Sequence, residues 1–217
     1  MLATRTAAAV ILAASFACTS VATAHTEDGT DDVVFPASLH YDQGESPRVK
    51  RDLQQLIGKP APKLSVGAWH EQKDSSGNVA DAGKTLEDMK GSIVVIDFWG
   101  TWCPPCRRAI PHTAKVAEEF ADQGVEFIGV SNTRGSEKMG TLADELGMSF
   151  PTAADVDDKT AKAFKVQWWP FYVLVDREGI VRAAGLRTDK IDQAVELMLT
   201  EQPFQPQAGD SQEASAG

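Results

Sequence analysis

Two cysteines separated by two prolines are the residues of this 217-residue chain whose type and spacing most directly suggest chemistry. The sequence Cys103-Pro104-Pro105-Cys106 follows an apolar run and opens a predicted helix, the setting in which a C-x-x-C pair performs redox chemistry. A thiolate at Cys103 would face the positive end of that helix, where free amide N–H groups and the macrodipole favour the charged form. We therefore predict that Cys103 is the nucleophile and that Cys106, one turn into the helix, is the less exposed resolving thiol.

The two intervening prolines bear on the direction of the redox reaction. Proline has no N–H, so neither proline can donate to the Cys103 sulfur, and the amide of Cys106 is the obvious donor that remains. Arg107 and Arg108 supply positive charge nearby. Because a strong oxidant stabilises its reduced, thiolate form, the missing donors favour a reductase. Exchange between thiols and disulfides needs no bound cofactor.

Two structural explanations of the cysteine pair are weaker. A structural zinc site would need two further ligands, but the only other cysteine is Cys18, near the N-terminus, and the only later histidine is His112. A purely structural disulfide across so short a loop would stabilise the fold little, because the stabilisation grows with the number of residues enclosed. No metal site is predicted.

One carboxylate lies close to the cysteine pair in the sequence. Asp97 stands six residues before Cys103, within the apolar run 93–98, where burial raises the pKa of a carboxyl group. An aspartate in this setting suits a proton acceptor, so Asp97 is a candidate catalytic residue. The alternative is a buried aspartate whose only role is to accept structural hydrogen bonds.

The N-terminus has the pattern of a secretory signal peptide. Arg5 precedes an apolar stretch over residues 7–17, and Ala22-Thr23-Ala24 places small residues before a cleavage site. The stretch is shorter than the roughly 20 residues of a spanning helix, so no membrane span is predicted in the mature chain. We predict a signal peptide over residues 1–24, cut after Ala24, and therefore a periplasmic or secreted protein.

A lipid anchor is the other way in which this segment could act. Cys18 would be its attachment point, and a lipoprotein site has a leucine-like residue three positions earlier and a small residue two positions earlier. Ser15 and Phe16 occupy those positions, so lipid attachment is disfavoured.

Composition predicts one globular domain between two flexible segments. The chain is 42% hydrophobic and 24% charged, as in ordinary soluble proteins, and its net charge of −10 argues against nucleic acid as a partner. Residues 25–50 are acidic and broken by Gly and Pro, which predicts a flexible leader. Residues 202–217 are rich in Gln, Ala, Gly and Ser and predict a disordered tail. The domain is expected over residues 51–201.

The elements predicted within that domain place the cysteines at the end of a central strand. Apolar, β-branched runs predict strands buried on both faces, and apolar stripes ended by glycine predict helices. The predicted strands are residues 93–98, 125–131, 171–176 and 180–184, and the predicted helices are 107–123, with a kink at Pro111, 136–146, 158–166 and a last helix capped by Thr188. This alternation predicts an α/β fold with parallel crossovers and a β-hairpin near the C-terminus.

Further short motifs accompany the cysteine pair in a fixed order over residues 57–198. They are Gly58-Lys59-Pro60-Ala61-Pro62, Asp97-Phe98-Trp99, Cys103-Pro104-Pro105-Cys106-Arg107, Pro111 and Trp169-Pro170. Together they resemble the thioredoxin superfamily, and most closely its TlpA/ResA-like extracytoplasmic thiol-disulfide oxidoreductases. The resemblance implies a thioredoxin-like fold, with a central mixed β-sheet flanked by helices, and an enzyme that exchanges disulfides with partner proteins.

The resemblance also implies roles for residues around the cysteine pair. It implies that the Trp169–Pro170 bond is cis and that Pro170 packs beside the dithiol, so that Trp169 could pair with an extended substrate segment as an added strand. It implies that Asp97 takes the proton of the resolving thiol. ResA-like proteins often carry a glutamate three residues after the second cysteine, whereas this chain has Ala109, so any selectivity set by that glutamate is not carried over.

Aromatic and proline residues complete the predicted binding surface, since rigid aromatic surface holds an extended partner at low entropic cost. The residues predicted to contact substrate are Trp102, Pro104, Pro105, Trp169 and Pro170. Trp99 is expected to flank the dithiol as well, and Trp168 either to join it or to pack in the core. The predicted partners are proteins that carry disulfides or dithiols, and a membrane-bound thiol electron donor is a further candidate.

Three other activities share parts of this pattern. A thiol oxidase would use the same dithiol in the opposite direction. A Sco-like copper-delivery module resembles this fold, but its cysteines are spaced one residue wider and it adds a distal histidine, whereas no histidine follows His112. A peroxiredoxin-type peroxidase needs a P-x-x-x-T-x-x-C frame, of which only Thr101, two positions before Cys103, is present. Disulfide exchange, in the direction of reduction, is therefore the predicted function.

Overall fold

Over residues 35–40, 46–70 and 85–201, which the computed structural model describes, the chain forms a six-stranded mixed sheet with helices on both faces. The strands are β1 (Val66–His70), β2 (Ile93–Trp99), β3 (Val125–Ser131), β4 (Thr152–Asp155), β5 (Phe171–Val175) and β6 (Val181–Leu186), in the order β1-β4-β3-β2-β5-β6. The helices are α1 (Pro47–Gln54), α2 (Pro104–Phe120), α3 (Met139–Glu145), α4 (Lys159–Ala163) and α5 (Ile191–Glu201). The predicted α/β class, with a central mixed sheet flanked by helices, is confirmed.

The central strand β2 is made of residues that suit burial on both faces of the sheet. Every one of its residues, IVVIDFW, is buried. Because side chains alternate along a strand, its even-numbered residues join the core beneath α1 and α4, and its odd-numbered apolar residues join the core beneath α2, α3 and α5. Asp97 has an odd number, so its side chain lies on the face that α2 covers.

Strand directions bring three segments of the chain to one edge of the sheet. β3 runs parallel to β2, as the crossover pattern predicts, whereas β5 runs antiparallel to β2. The residues that follow β2, the residues that follow β3 and the residues that precede β5 therefore lie at the same edge. This edge holds the cysteine pair, because the pair comes shortly after β2.

A glycine in β3 permits close packing just beneath this edge. The indole N–H of Trp99 donates to Thr152 Oγ1 at 2.9 Å, which ties β2 to β4 across β3. A Cβ atom at Gly129 would lie 2.6 Å from Thr152 Oγ1 and 3.2 Å from Trp99 Nε1. A larger residue at position 129 would therefore displace the hydrogen-bonded pair.

Most predicted elements are present, and several have shifted ends. β3 has the predicted bounds, β2 is one residue longer, and α2 begins at Pro104 rather than at residue 107. α2 continues through Pro111 to Phe120. The helix α1 and the strands β1 and β4 are additional to the predicted elements.

The C-terminal hairpin is present, but the cap predicted for the last helix is wrong. β5 and β6 pair in antiparallel fashion, with the predicted turn between them. Thr188 does not cap α5, because it begins a 3₁₀ turn over Thr188–Lys190 that leads into the helix. The N-cap residue of that turn is Arg187, which makes no side-chain cap bond.

Part of the predicted flexible leader has regular structure. Residues Ala37–Leu39 form a 3₁₀ turn, and Leu39 is buried in the core beneath α5. α1 begins at Pro47, so the predicted domain start at residue 51 falls inside a helix. The division of the chain into domains stays a prediction.

The predictions for the two ends of the chain lie outside the described residues. They are the signal peptide over residues 1–24, the lipid site at Cys18, the acidic residues before position 35 and the tail over residues 202–217. Within the part that the structure describes, none of the helices has the length and apolar character needed to cross a membrane.

Candidate active site

The dithiol lies where the active-site loop after β2 enters α2. Cys103 is the N-cap residue of α2, the two prolines are its first two residues, and Cys106 is the third. The two cysteines are joined in a disulfide, with 2% of Cys103 and 1% of Cys106 exposed. The expected difference in exposure between the two cysteines is therefore absent in the disulfide form.

The backbone around Cys103 offers its sulfur a single donor from the first turn of α2. The Cys106 amide donates to Cys103 Sγ at 3.2 Å, as the sequence predicts. The first N–H groups of a helix are normally free to bind such a group, but the two prolines have none. The Arg107 amide donates to the Cys103 carbonyl oxygen at 3.1 Å, so it is not directed at the Cys103 sulfur.

A second wall of the site comes from the residues that precede β5. The Trp169–Pro170 peptide bond is cis, as the resemblance implies. The ring of Trp169, which is half-buried, meets the ring of Trp102 edge to face, with centroids 6.1 Å apart. Pro170 itself is buried, whereas Pro104 and Pro105 are exposed. A partner that docks here would therefore meet Trp169, Trp102 and the two active-site prolines.

Trp102 presents 38% of its surface to solvent and is held by the loop after β3. Its indole N–H donates to Asn132 Oδ1 at 3.0 Å, and Asn132 Nδ2 donates to Asp158 Oδ1 at 2.8 Å. The guanidinium of Arg134 lies over the indole, 5.1 Å from the ring centroid, in a cation–π contact. The sequence pattern does not reveal Asn132 or Arg134, since their loop meets Trp102 only through the order of the strands.

Asp97 is buried on the sheet face that also carries the dithiol. Its neighbours on that face, Val95 and Trp99, belong to the same core as both cysteines. Asp97 is 1% exposed, and neither of its carboxylate oxygens has a hydrogen-bond partner of standard geometry within the described residues. Burial raises the pKa of Asp97 to about 7, and the approaching Tyr172 hydroxyl opposes part of that rise. A carboxyl group that titrates near neutral pH can accept and return a proton under physiological conditions.

Tyr172 is a residue of the site that sequence reasoning does not find. It stands opposite Asp97 in the β2–β5 register, so the two side chains share a face of the sheet. Its buried hydroxyl lies 3.0 Å from Thr113 Oγ1 on α2, and Thr113 Oγ1 in turn donates to the Ala109 carbonyl oxygen at 3.3 Å. The only sign in the sequence is a phenol within an apolar strand, and its partner is known only once β5 is placed beside β2.

The sequence matches the model of a known protein family. The model described as the AhpC/TSA family matches residues 57–184, which is more than half of the chain. The chain belongs to the AhpC/TSA family.

Curated relatives of this AhpC/TSA chain carry the name of one activity. The thiol-disulfide oxidoreductase ResA of Halalkalibacterium halodurans is 31% identical over 119 residues, which are 54% of this chain and 68% of the relative. The protein of the same name from Bacillus subtilis is 35% identical over 101 residues, which are 46% of this chain and 56% of the relative. The chain thus spans little more than half the length of the second relative.

A solved structure agrees with both the fold and the activity class. The crystal structure of the thioredoxin domain of a thiol-disulfide oxidoreductase from Bacteroides vulgatus matches with a TM-score of 0.52 and 29% sequence identity. The match covers 64% of this chain and 95% of that structure. The predictions of a thioredoxin-like fold, of a ResA-like relationship and of a thiol-disulfide oxidoreductase are confirmed for this AhpC/TSA member.

Two further tryptophans, Trp99 and Trp168, pack against the core. Trp99 is fully buried, so it lies under the dithiol edge and offers no surface to a partner, contrary to the expectation that it flanks the dithiol as a binding residue. Trp168 is half-buried and packs edge to face on Phe171, with ring centroids 5.0 Å apart. Of the two roles considered for Trp168, the structure therefore favours packing.

Side chains that could ligate a metal stay apart in the described part of the chain. Cys103 and Cys106 are bonded to each other, and His112 is exposed on α2. Over residues 35–40, 46–70 and 85–201, no three His, Cys, Asp or Glu side chains come together as a group that could hold a metal ion.

Proposed function

We propose that this AhpC/TSA chain reduces disulfide bonds of partner proteins outside the cytoplasm, with Cys103 and Cys106 as the reacting pair. The observation that carries the proposal is the position of this pair at the N-terminus of α2, next to the exposed Trp102, whose ring contacts that of Trp169. The relatives named thiol-disulfide oxidoreductase ResA support the same chemistry.

The reaction transfers two electrons from the dithiol of the chain to the disulfide of the partner. The Cys103 thiolate attacks one sulfur of the partner, which breaks the partner's disulfide, forms a mixed disulfide and releases a first thiolate that takes up a proton. The Cys106 thiolate then attacks Cys103 Sγ, which releases the second partner sulfur as a thiol and leaves the Cys103–Cys106 disulfide. The chain ends oxidised by one disulfide and the partner ends reduced by one disulfide.

Asp97 is the proposed proton acceptor in the second step. Cys106 must lose its proton before it attacks, and a buried thiol has no direct access to solvent. A carboxylate whose pKa lies near 7 can take that proton at neutral pH and then pass it to the departing sulfur of the partner. The lack of hydrogen-bond partners of standard geometry for Asp97 within the described residues suits this role better than a structural one.

The prolines support reduction as the direction of exchange. A thiolate at Cys103 has the Cys106 amide as its one donor from the first turn of α2, because the preceding two helical residues have no N–H. Less stabilisation of the thiolate makes the reduced form a better electron donor.

The compartment follows from the sequence at the N-terminus. The predicted signal peptide over residues 1–24 would deliver the chain to the periplasm or the exterior, where protein disulfides form and persist. Partner proteins with disulfides, and a membrane thiol donor that restores the dithiol, are the corresponding partners.

Trapping of the mixed disulfide tests the proposal directly. In Cys106→Ala the Cys103 thiolate can still attack, but the mixed disulfide cannot be resolved, so covalent adducts with envelope proteins should accumulate on non-reducing gels. The matched variant Cys103→Ala keeps one cysteine of the pair and should form none. Equal adducts with both variants, or none with Cys106→Ala, would show that Cys103 is not the nucleophile of such an exchange.

The direction of exchange has its own measurement. Equilibration with defined glutathione or dithiothreitol ratios gives the reduction potential of the Cys103–Cys106 pair, and a reductase of this fold should lie near the thioredoxin value of about −270 mV. A potential above about −150 mV would reverse the direction and make the chain a thiol oxidase.

A further inference from the structure

A groove opens beside the dithiol between the active-site loop and the loop after β3. Its volume is about 500 Å³. Thr101 and Trp102 line it from the active-site loop, and Arg134 and Gly135 line it from the loop after β3. The groove is thus continuous with the exposed indole that stands next to Cys103.

The two loops that form the groove are fastened to each other. Thr101 Oγ1 donates to the Gly135 carbonyl oxygen at 3.1 Å. Gly135 has a φ of +78°, and a Cβ atom there would collide with Thr101 Oγ1, so the contact requires glycine. Together with the bond from Trp102 to Asn132, this contact preforms the groove, and a preformed site loses less free energy to ordering when it binds.

The lining of the groove contains more cations than carboxylates. Arg107, Arg134 and Lys138 line it. None of these three forms an ion pair within the described residues. Glu137 and Glu145 also line it, so the cations outnumber the carboxylates by one, although the whole chain has a net charge of −10. The groove therefore carries one net positive charge beside the cysteine pair.

The two arginines lie close to the cysteine pair. Arg107 follows Cys106 directly in α2, and the guanidinium of Arg134 is stacked on Trp102. A guanidinium presents a planar fork of donors that matches a carboxylate. Because exposed charges are screened beyond about 8 Å at physiological ionic strength, a docked segment interacts mainly with the charged groups of the groove, in which cations outnumber carboxylates by one.

We propose that this groove binds an acidic segment of the partner protein, adjacent to the cysteine that Cys103 attacks. The inference builds on the proposed function and specifies its substrate class: disulfides whose flanking residues carry carboxylates. Arg134 and Lys138 would act on binding, as residues that select and orient the partner, and the exchange chemistry would remain that of the dithiol.

Two synthetic peptides test the proposal. Each has one internal disulfide in the same frame, with glutamates beside the cysteines in one peptide and lysines in the other. The pre-reduced full chain is mixed with each oxidised peptide, and the second-order rate constant of peptide reduction is measured at low and high salt. We expect the glutamate peptide to react about tenfold faster at low salt, with the ratio falling as salt screens the charges.

Charge-neutral variants locate the effect. Arg134→Gln and Lys138→Gln should each lower the glutamate-to-lysine rate ratio about two- to threefold, and the double variant should remove most of it. Lys115→Gln is the matched control, because Lys115 is an exposed lysine of α2 that does not line the groove and its replacement changes the net charge equally. This control should keep the wild-type ratio.

The outcomes separate this inference from the proposed function. Equal rates for both peptides, a faster lysine peptide, or a loss of the ratio in Lys115→Gln as large as in Arg134→Gln would overturn the acidic-segment proposal while leaving disulfide reduction intact. Failure of the wild-type chain to reduce either peptide would instead overturn the proposed reductase. Because all three substitutions are on the surface, thermal unfolding of each variant should match that of the wild type.

Discussion

Asp97 and Asp176 are equally buried aspartates near opposite ends of the central strands, and they differ in what surrounds them. Each is 1% exposed. Asp176 Oδ1 accepts from the amides of Glu178 and Ile180, at 3.0 and 2.7 Å, and Asp176 Oδ2 accepts from Arg182 Nε. Asp97 has no partner of standard geometry among the described residues, and only the Tyr172 hydroxyl approaches it.

The difference shows that burial alone does not tell a structural carboxylate from a reactive one. At Asp176 the two turn amides and Arg182 donate to both carboxylate oxygens, so this side chain serves the fold. Asp97 has no such donors among the described residues, and its burial raises its pKa to about 7. A proton that leaves and returns at neutral pH is useful beside a dithiol and would be of no use in a hairpin turn.

Replacement of Asp176 should give the largest effect, and one confined to stability. Asp176→Ala removes the acceptor of two turn amides and of Arg182, and we expect the free energy of unfolding in urea to fall by about 3–5 kcal/mol. Asp176→Asn keeps Oδ1 as an acceptor and should lose less. The exchange rate per folded molecule should be unchanged in both variants, and a slowed exchange would mean that the two aspartates are not functionally distinct.

Replacement of Asp97 should have the opposite effect on stability. Because the folded pKa of about 7 lies above the ordinary value of 3.8, Asp97 favours folding fully below about pH 4, and this contribution is lost as the pH rises through 7. The wild-type free energy of unfolding should therefore decrease over this range, by roughly 4 kcal/mol at most. Asp97→Asn should remove the decrease and be the more stable protein at pH 8.

The same Asp97→Asn variant should lose activity while it gains stability. Resolution of the mixed disulfide by Cys106 should slow about a hundredfold near neutral pH, as expected for loss of a general base. Stopped-flow measurement with a peptide disulfide separates this step from the first attack by Cys103. If the variant resolves the mixed disulfide at the wild-type rate, Asp97 is not the proton acceptor of this step.

Removal of the Tyr172 hydroxyl should give the smallest shift. Tyr172→Phe deletes the group that lowers the pKa of Asp97, so the pH profile of the resolving step should move to higher pH by less than about one unit. Thr113→Val is the matched variant, because it removes the hydroxyl that pairs with the phenol. The phenol should then interact more strongly with Asp97, and the profile should move in the opposite direction. Identical profiles in all three proteins would exclude Tyr172 from the site.

The sequence allowed prediction of the parts of the site that depend on local spacing. The cysteine pair, the prolines at the start of α2 and the apolar run around Asp97 are close in the chain, so a strand followed by a helix suffices to bring them together. Asn132, Arg134 and Tyr172 reach the site only because β3 and β5 flank β2, and no local pattern encodes that order.

The elements missed by the pattern are short or weakly patterned. β4 reads TAAD, with small residues in place of the β-branched runs that mark β2 and β3. β1 has no fully buried residue and contains a glycine, and its pairing with β4 has a register shift. Tertiary contacts determine the places of β1 and β4 in the sheet, so the local sequence does not predict them. The roles of the motifs before and after the cysteines are predicted from the family resemblance.

The hydrogen bonds of the Asn132 side chain limit which residues can replace it in the loop after β3. Its oxygen accepts from Trp102 and from the Arg134 amide, while its nitrogen donates to Asp158. An aspartate would fit by size but would set a second negative charge against Asp158, and a leucine would satisfy none of the three. Only a side chain that accepts at one end and donates at the other can make all of these bonds. Few other residue types should therefore be tolerated at position 132, although it lies far from the cysteines in the chain.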